Sequence, residues 1–351
     1  MPVPEETNSP PAPKPAPTGG LFRSAARLVA PVIAMVVMVL AFALMAQAGG
    51  GEASRFLERF LSSESLVAIG EQAAIIVIVG IGQTLIIIAG GIDLSVGSVV
   101  AFTGTLAAVT MLRTGMPPAM AALAGTLAGG LIGLFNGGLS VKTRLHPFII
   151  TLGSMMIFRG LAQWLTNAQN TSNLPATFTG LATGRFPLGP GKELVVPYIL
   201  LWYIVIVGVA THILLTRTRA GRYCFAIGSN PQSTRLSGVR SDFWVTVYFM
   251  LAGLLFGFGG IIQAARTGIG EPTGAQGMEL EAIAAAVIGG ASLSGGQGTV
   301  GGTILGAILM ATLRQGLRML NMPPYWQQVA LGTAIIAAVI YDRASRRQSE
   351  K

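Results

Sequence analysis

The residues able to carry chemistry are few, and their spacing excludes most of it. Gly296-Gln297-Gly298-Thr299-Val300-Gly301 matches GxGxxG, a dinucleotide fingerprint that needs a preceding strand and an acidic residue some 20 positions on. Here it lies between apolar runs, and no Asp or Glu follows until Asp342. No phosphate loop of the form GxxxxGK-Ser/Thr occurs; Gly189-Pro190-Gly191-Lys192-Glu193 lacks both the spacing and the hydroxyl, so the chain is not expected to hydrolyse ATP alone. His146 and His212 cannot assemble a metal cluster, and the single Cys224 excludes a disulfide within the chain. Asn170-Thr171-Ser172 fits a glycosylation acceptor, a pattern that short polar loops produce by chance. No catalytic residue and no metal site are expected.

What remains is charge inside or beside apolar stretches: Asp93, Glu71, Arg159, Glu279 and Glu281. Each such group costs several kcal/mol in hydrocarbon unless paired or hydrated, so each marks either a polar path or gate, or an interfacial anchor or helix cap. Asp93 sits at a glycine break two residues before a new helix, with Ser95 nearby, which favours capping. There is no chain of acids resembling a proton relay.

The elements that hold these residues are set by composition. Of 351 residues, 52% are hydrophobic and 11% charged, against about 25% charged in soluble domains. Too few charges exist to coat a soluble core, and a soluble globular protein is excluded. The net charge of +9 does not indicate nucleic-acid binding, because the basic residues flank apolar runs and are not interleaved with aromatics.

Residues 1–22 read as a disordered Pro-rich cytoplasmic tail. Runs near the ~20 residues needed to cross a bilayer lie at roughly 26–46, 66–89, 95–112, 118–139, 147–166, 195–215, 243–264, 279–293, 299–318 and 326–341. The fold class is therefore all-α: a polytopic integral membrane helical bundle of about ten transmembrane helices, occupying 23–342, with a basic tail at 343–351. The eighth run is short and glycine-interrupted, and the join at Gly90-Gly91 is as abrupt, so either is a candidate broken or re-entrant helix. With both termini cytoplasmic, fourteen of the 23 Lys and Arg residues fall inside, eight fall outside or at outer span ends, and Arg159 lies within a span; that bias follows the positive-inside rule.

Gly125, Gly129, Gly133 and Gly137 recur every four residues, as do Gly298, Gly302 and Gly306, an interval that lets helix backbones approach closely. Gly90–Gly104 and Gly289–Thr303 share GGxxLSxG, a short glycine-rich echo that fits a duplicated half but does not establish one. The longest polar segment, 216–241, contains Ser229 or Asn230 as N-cap, Pro231 at the first helical position and Gly238 as stop, predicting a helix of about two turns that carries Arg235. Such a helix rests on anionic lipid or docks a cytoplasmic partner; the residues alone allow both.

GGIDLSVGS (90–98), HPFIITLGSMMIFRGLA (146–162), TRAGRYCFAIGSNPQSTRLSGV (218–239) and ELEAIAAAVIGGASLSGGQGTVGGT (279–303) resemble the permease subunits of ribose-type sugar ABC importers, in order and spacing from about residue 25 to 342. The resemblance implies a pair of transmembrane subunits, cytoplasmic ABC ATPase subunits that bind ATP and Mg, and a periplasmic sugar-binding protein. This chain would itself bind no cofactor and no nucleic acid, and would sit with its lipid in the bacterial inner membrane. It places Gly228, Asn230, Arg235, Leu236, Ser237 and Gly238 on the ATPase-coupling surface, with Ser233-Thr234 where the family commonly has two alanines. The expected function is inward movement of a monosaccharide, pentose or hexose, by alternating access. Gln83, Asp93, Asn136, Thr151 and Gln263 are candidates for the translocation path or gate, or for interhelical glue. An ion-coupled transporter acting alone is the alternative.

Overall fold

A computed structural model describes residues 20–50, 52–183 and 198–349. The Pro-rich tail up to residue 19 lies outside the described residues, as do Arg185 and the 189–193 string. Fourteen helices fill the described residues: α1 (Gly20–Ala48), α2 (Ala53–Phe60), α3 (Ser63–Ile88), α4 (Val96–Thr114), α5 (Pro118–Thr143), α6 (Pro147–Thr166), α7 (Ala176–Thr183), α8 (Tyr198–Arg217), α9 (Arg219–Ser229), α10 (Pro231–Leu236), α11 (Ser241–Thr267), α12 (Met278–Ile288), α13 (Val300–Met319) and α14 (Pro324–Ser349). There is no strand among them, only an isolated antiparallel bridge between Thr171 and Gly270.

Local chemistry sets many of the ends. Pro118 and Pro147 start α5 and α6 at the position where a missing N–H costs nothing. Ser62, Thr218, Asn230 and Thr299 each accept a main-chain N–H in the first turn of α3, α9, α10 and α13. Gly115 and Gly268 close α4 and α11 in the left-handed conformation.

Ten of these helices follow the ten apolar runs. Seven are long and apolar enough to cross a membrane: α3, α4, α5, α6, α8 (from Ile199), α11 and α13. In α1 the apolar stretch whose side chains are described is Val32–Ala48. The eighth run forms only α12, whose 11 residues span about 16 Å, half the hydrocarbon thickness. It is a half-helix, ended by Gly289 and Gly290.

The bundle has a centre and a rim. In α3 and α4, 72% of the apolar window is buried, against 17% in α6 and 22% in α8, so α3, α4, α11 and α13 form the core and α6 and α8 face outward. Outward residues such as Leu131, Met156 and Ile206 are large and apolar, which a protein in water could not tolerate over this area. Close packing uses glycine: α5 lies on α11 through Gly129, Gly133, Gly253 and Gly257, where an added Cβ on any of them would overlap the facing backbone. The segment 216–241 holds two helices where the sequence pointed to one. Gly221 and Gly228 argue against α9 on propensity, but Cys224 and Ile227 are buried beneath it and tertiary packing overrides that preference.

Candidate functional site

Four of the five polar residues singled out inside spans converge on the loop between α3 and α4. Asp93, 1% exposed, accepts from the Ser95 N–H at 2.7 Å and from the Ser95 hydroxyl at 2.6 Å. Asn136 on α5 donates to the Ser95 oxygen at 3.0 Å and reaches the second Asp93 oxygen at 3.5 Å. Thr151 on α6 accepts from the Leu94 N–H at 3.1 Å and donates to the Ile92 carbonyl at 3.4 Å. Gln83 on α3, with its amide oriented to satisfy both ends, donates to the Asp93 carbonyl and accepts from the Asp93 N–H, each at 3.2 Å. All four side chains are buried.

The chemistry of this cluster is that of a clamp. Buried main-chain groups freed by a helix break must find partners; Gln83 on α3 and Thr151 on α6 supply them to three consecutive positions, Ile92 to Leu94, while Asn136 on α5 binds the side chains of Asp93 and Ser95. The Asp93 carboxylate folds the chain back onto Ser95 and starts α4, as an Asx turn does.

The second break, between α12 and α13, is built alike. Gly90 and Gly290 have φ of +88° and +91°. Each donates to the carbonyl three residues back, and the next residue donates five back: Gly90 to Ile87 and Gly91 to Ile86, Gly290 to Val287 and Ala291 to Ala286, all at 2.9 Å. That is the Schellman closure in both. The Ser292 hydroxyl accepts from the Ser294 N–H at 3.3 Å, matching Asp93 and Ser95. The glycine closure thus pairs Gly90 with Gly290, while the turn pairs Asp93 with Ser292. The first loop holds one extra residue between them, and the sequence echo, aligned on GG, concealed this.

Gln263 stands apart. It lines a small cleft between α4, α11 and the 269–275 loop with Gly104, Gly260, Thr267, Glu271 and Gly274, and its Oε1 is buried without a partner. The loop above it is held by Arg159 on α6, which donates to the carbonyls of Gly274 at 2.5 Å and Pro272 at 3.3 Å.

In the 216–241 segment, Asn230 accepts from the Ser233 N–H at 2.9 Å and caps α10. Arg235 pairs with Asp242 at the surface, Leu236 is 90% exposed, and Ser237 and Gly238, at φ +83°, end the helix. Arg235 and Leu236 thus lie side by side on the exposed part of a capped helix. Gly228 lies elsewhere, at the end of α9 against the terminus of α3. Cys224, also on α9, donates to the Leu85 carbonyl at 3.5 Å, and burial pushes its thiol up to about 12.

Sequence reasoning missed the pairing of the other charges. Glu281 on α12, 2% exposed in its side chain, pairs with Arg314 on α13, and Glu71 on α3 faces Arg266 on α11 at 3.9 Å. In the sequence Arg266 and Arg314 read as two of the eight basic residues outside or at outer span ends. Only a third-dimension neighbour makes them partners.

Comparison with known proteins places the chain among transport permeases. The family model described as branched-chain amino acid transport system / permease component matches residues 65–339. The D-allose transport system permease protein of Escherichia coli K12 is 37% identical, covering 82% of this chain and 85% of its own length. The ribose import permease protein of the same strain is 38% identical over 81% and 87%, and its xylose transport system permease protein is 31% identical over 95% and 97%. No solved structure matches with significance.

Proposed function

The chain belongs to the family of branched-chain amino acid transport system permease components, and from that premise we propose that it is the membrane subunit of an ATP-driven importer of a monosaccharide, a pentose or hexose. The observation that carries this reading is the run of relatives whose names specify ribose, D-allose and xylose, each aligned with more than four-fifths of the chain. The family description names branched-chain amino acids, whereas these individual relatives are named for sugars, and the individual similarities favour sugar over amino acid.

On this reading the energy comes from outside the chain. Cytoplasmic ABC ATPase subunits bind ATP and Mg, a periplasmic binding protein delivers the sugar, and a second permease copy completes the pore. The chain itself binds no cofactor. The exposed face of α10, with Arg235 and Leu236, is the ATPase contact, on the cytoplasmic side with both termini. Alternating access then follows from a differential affinity of the ATPase pair for two states of the bundle. Gln83, Asp93, Asn136 and Thr151 hold the first helix break as part of the gate, and Gln263, with an unpartnered oxygen in a cleft, faces the path where sugar hydroxyls pass.

The test is purification in mild detergent with identification of co-purifying subunits, followed by reconstitution. An ATPase carrying a phosphate loop, and sugar uptake that requires ATP, are expected. Concentrative uptake by the chain alone that collapses with an uncoupler would establish the ion-coupled alternative.

A further inference from the structure

The second helix break touches the end of α3 beside the first, and the C-terminal end of α9, Gly228 and Ser229, packs against that joint. The Gly296 N–H donates to the Ile88 carbonyl at 2.8 Å, joining the second loop to the last residue of α3. Gly228 sits at that joint. A Cβ there would collide with the Ile88 carbonyl oxygen and lie 2.5 Å from the Gly296 nitrogen. A Cβ on Gly295 would lie 2.6 Å from the Gly228 oxygen, and one on Gly296 would collide with the Ser229 hydroxyl. From the other break, the Cβ position of Gly90 is 3.7 Å from the Gly228 Cα. Around Gly228 the nearest atoms of Ile88, Gly295 and Gly296 are main chain, which cannot turn aside as a side chain can.

The helix that carries Gly228 is suited to transmit motion. Near its start, the Tyr248 hydroxyl of α11 donates to the Ala220 carbonyl at 2.7 Å. Midway, Cys224 reaches the Leu85 carbonyl. At its end, Asn230 both terminates α9 and caps α10, so the two helices share one residue and a force on α10 reaches Gly228 without a flexible linker. Packed backbones of this kind have discrete arrangements and do not deform continuously.

We propose that Gly228 is a mechanical junction through which α10 moves both helix breaks, residues 89–95 and 289–299, in one step. This rests on the importer reading above, since it presumes that α10 is where the ATPase acts. It adds that Ile88, Gly295 and Gly296, outside the ATPase-contact segment, are coupling residues. Input at one surface then reaches two structurally equivalent breaks together, and the two loops change state as a unit.

The experiment compares Gly295→Ala with Gly115→Ala in the reconstituted complex with its ATPase and binding protein. Both glycines have a positive φ, +84° and +68°, so both substitutions strain the backbone, but position 115, at the end of α4, lies outside both breaks and nothing lies within 4 Å of a Cβ there. Gly295→Ala should leave the ATPase bound while sugar transported per ATP falls by at least about tenfold, a typical size for a lost coupling between linked sites. Gly115→Ala should retain coupling. Equal effects of the two, or normal coupling in Gly295→Ala, overturn the junction. Absence of any ATPase from the wild-type complex refutes the importer reading itself. Should Gly295→Ala not fold, hydrogen exchange of the wild-type complex decides: peptides covering 86–96 and 289–299 should change protection together on ATP binding, and a change in one alone, or in neither, overturns the proposal.

Discussion

Gly133→Ala should loosen the bundle at the contact between α5 and α11, and the size of the effect follows from the geometry. A methyl at position 133 overlaps the Phe249 carbonyl oxygen and lies 2.9 Å from the Phe249 carbon and 3.0 Å from the Gly253 Cα. Ordinary contact begins near 3.4 Å, so the helices must separate by roughly half an ångström or more. The atoms in the way are main chain and cannot turn aside. Forced overpacking of this kind costs about 1–3 kcal/mol. Alanine also gains about 1 kcal/mol over glycine in a helix, which would mask part of the loss. Gly153→Ala on α6 removes that ambiguity, because nothing lies within 4 Å of its Cβ position. It receives the propensity gain without the clash, and the difference between the two variants isolates packing at about 1–3 kcal/mol. Thermal unfolding in detergent, read on tryptophan fluorescence, measures it. The midpoint of Gly133→Ala should fall a few degrees below that of Gly153→Ala. Equal midpoints would show that this contact does not hold the bundle together.

The remaining predictions address charge, burial and docking. Glu281→Met should destabilise by about 3–5 kcal/mol, because Arg314 is left largely buried without its counter-ion, whereas the double variant Glu281→Met, Arg314→Met should lose less than either single change; a double-mutant cycle on thermal midpoints checks this, and simple additivity refutes the pairing. Cys224, with its thiol pushed up to about 12 by burial, should resist maleimide at pH 7.5 in the folded protein and react after denaturation; equal rates in the two states would place it at the surface. Arg235→Glu sets two carboxylates against each other at Asp242 on an exposed site, so the fold should persist while ATPase association weakens by about tenfold or more, the scale on which a lost surface charge contact shows at an interface; unchanged association and uptake would remove α10 from the contact.

What the sequence determined by itself is the set of helices. In hydrocarbon every main-chain polar group must be satisfied within its own segment, so an apolar run of about 20 residues has almost no choice but a helix, and ten such runs gave ten helices. The glycine period on α5 and the Gly238 stop were equally legible, being local events of a few residues, while the cap of α10 was narrowed to Ser229 or Asn230 and the structure assigns it to Asn230. Tertiary structure alone decided which helix faces which. Gln83, Asp93, Asn136 and Thr151 come from four separate stretches and meet because α3, α5 and α6 are rotated to present them to one loop, while Gln263, as polar as the rest, lies on a helix turned to a different cleft. Arg314 could be read only as an end-of-span charge until α12 brought Glu281 beside it. Helix α9 escaped notice because its two glycines oppose a helix locally, and the contacts that require them, with Leu215 and Ile88, lie outside its own segment. A sequence carries the period of a helix but not its rotation about its axis or its neighbours, since those come from packing all the helices at once.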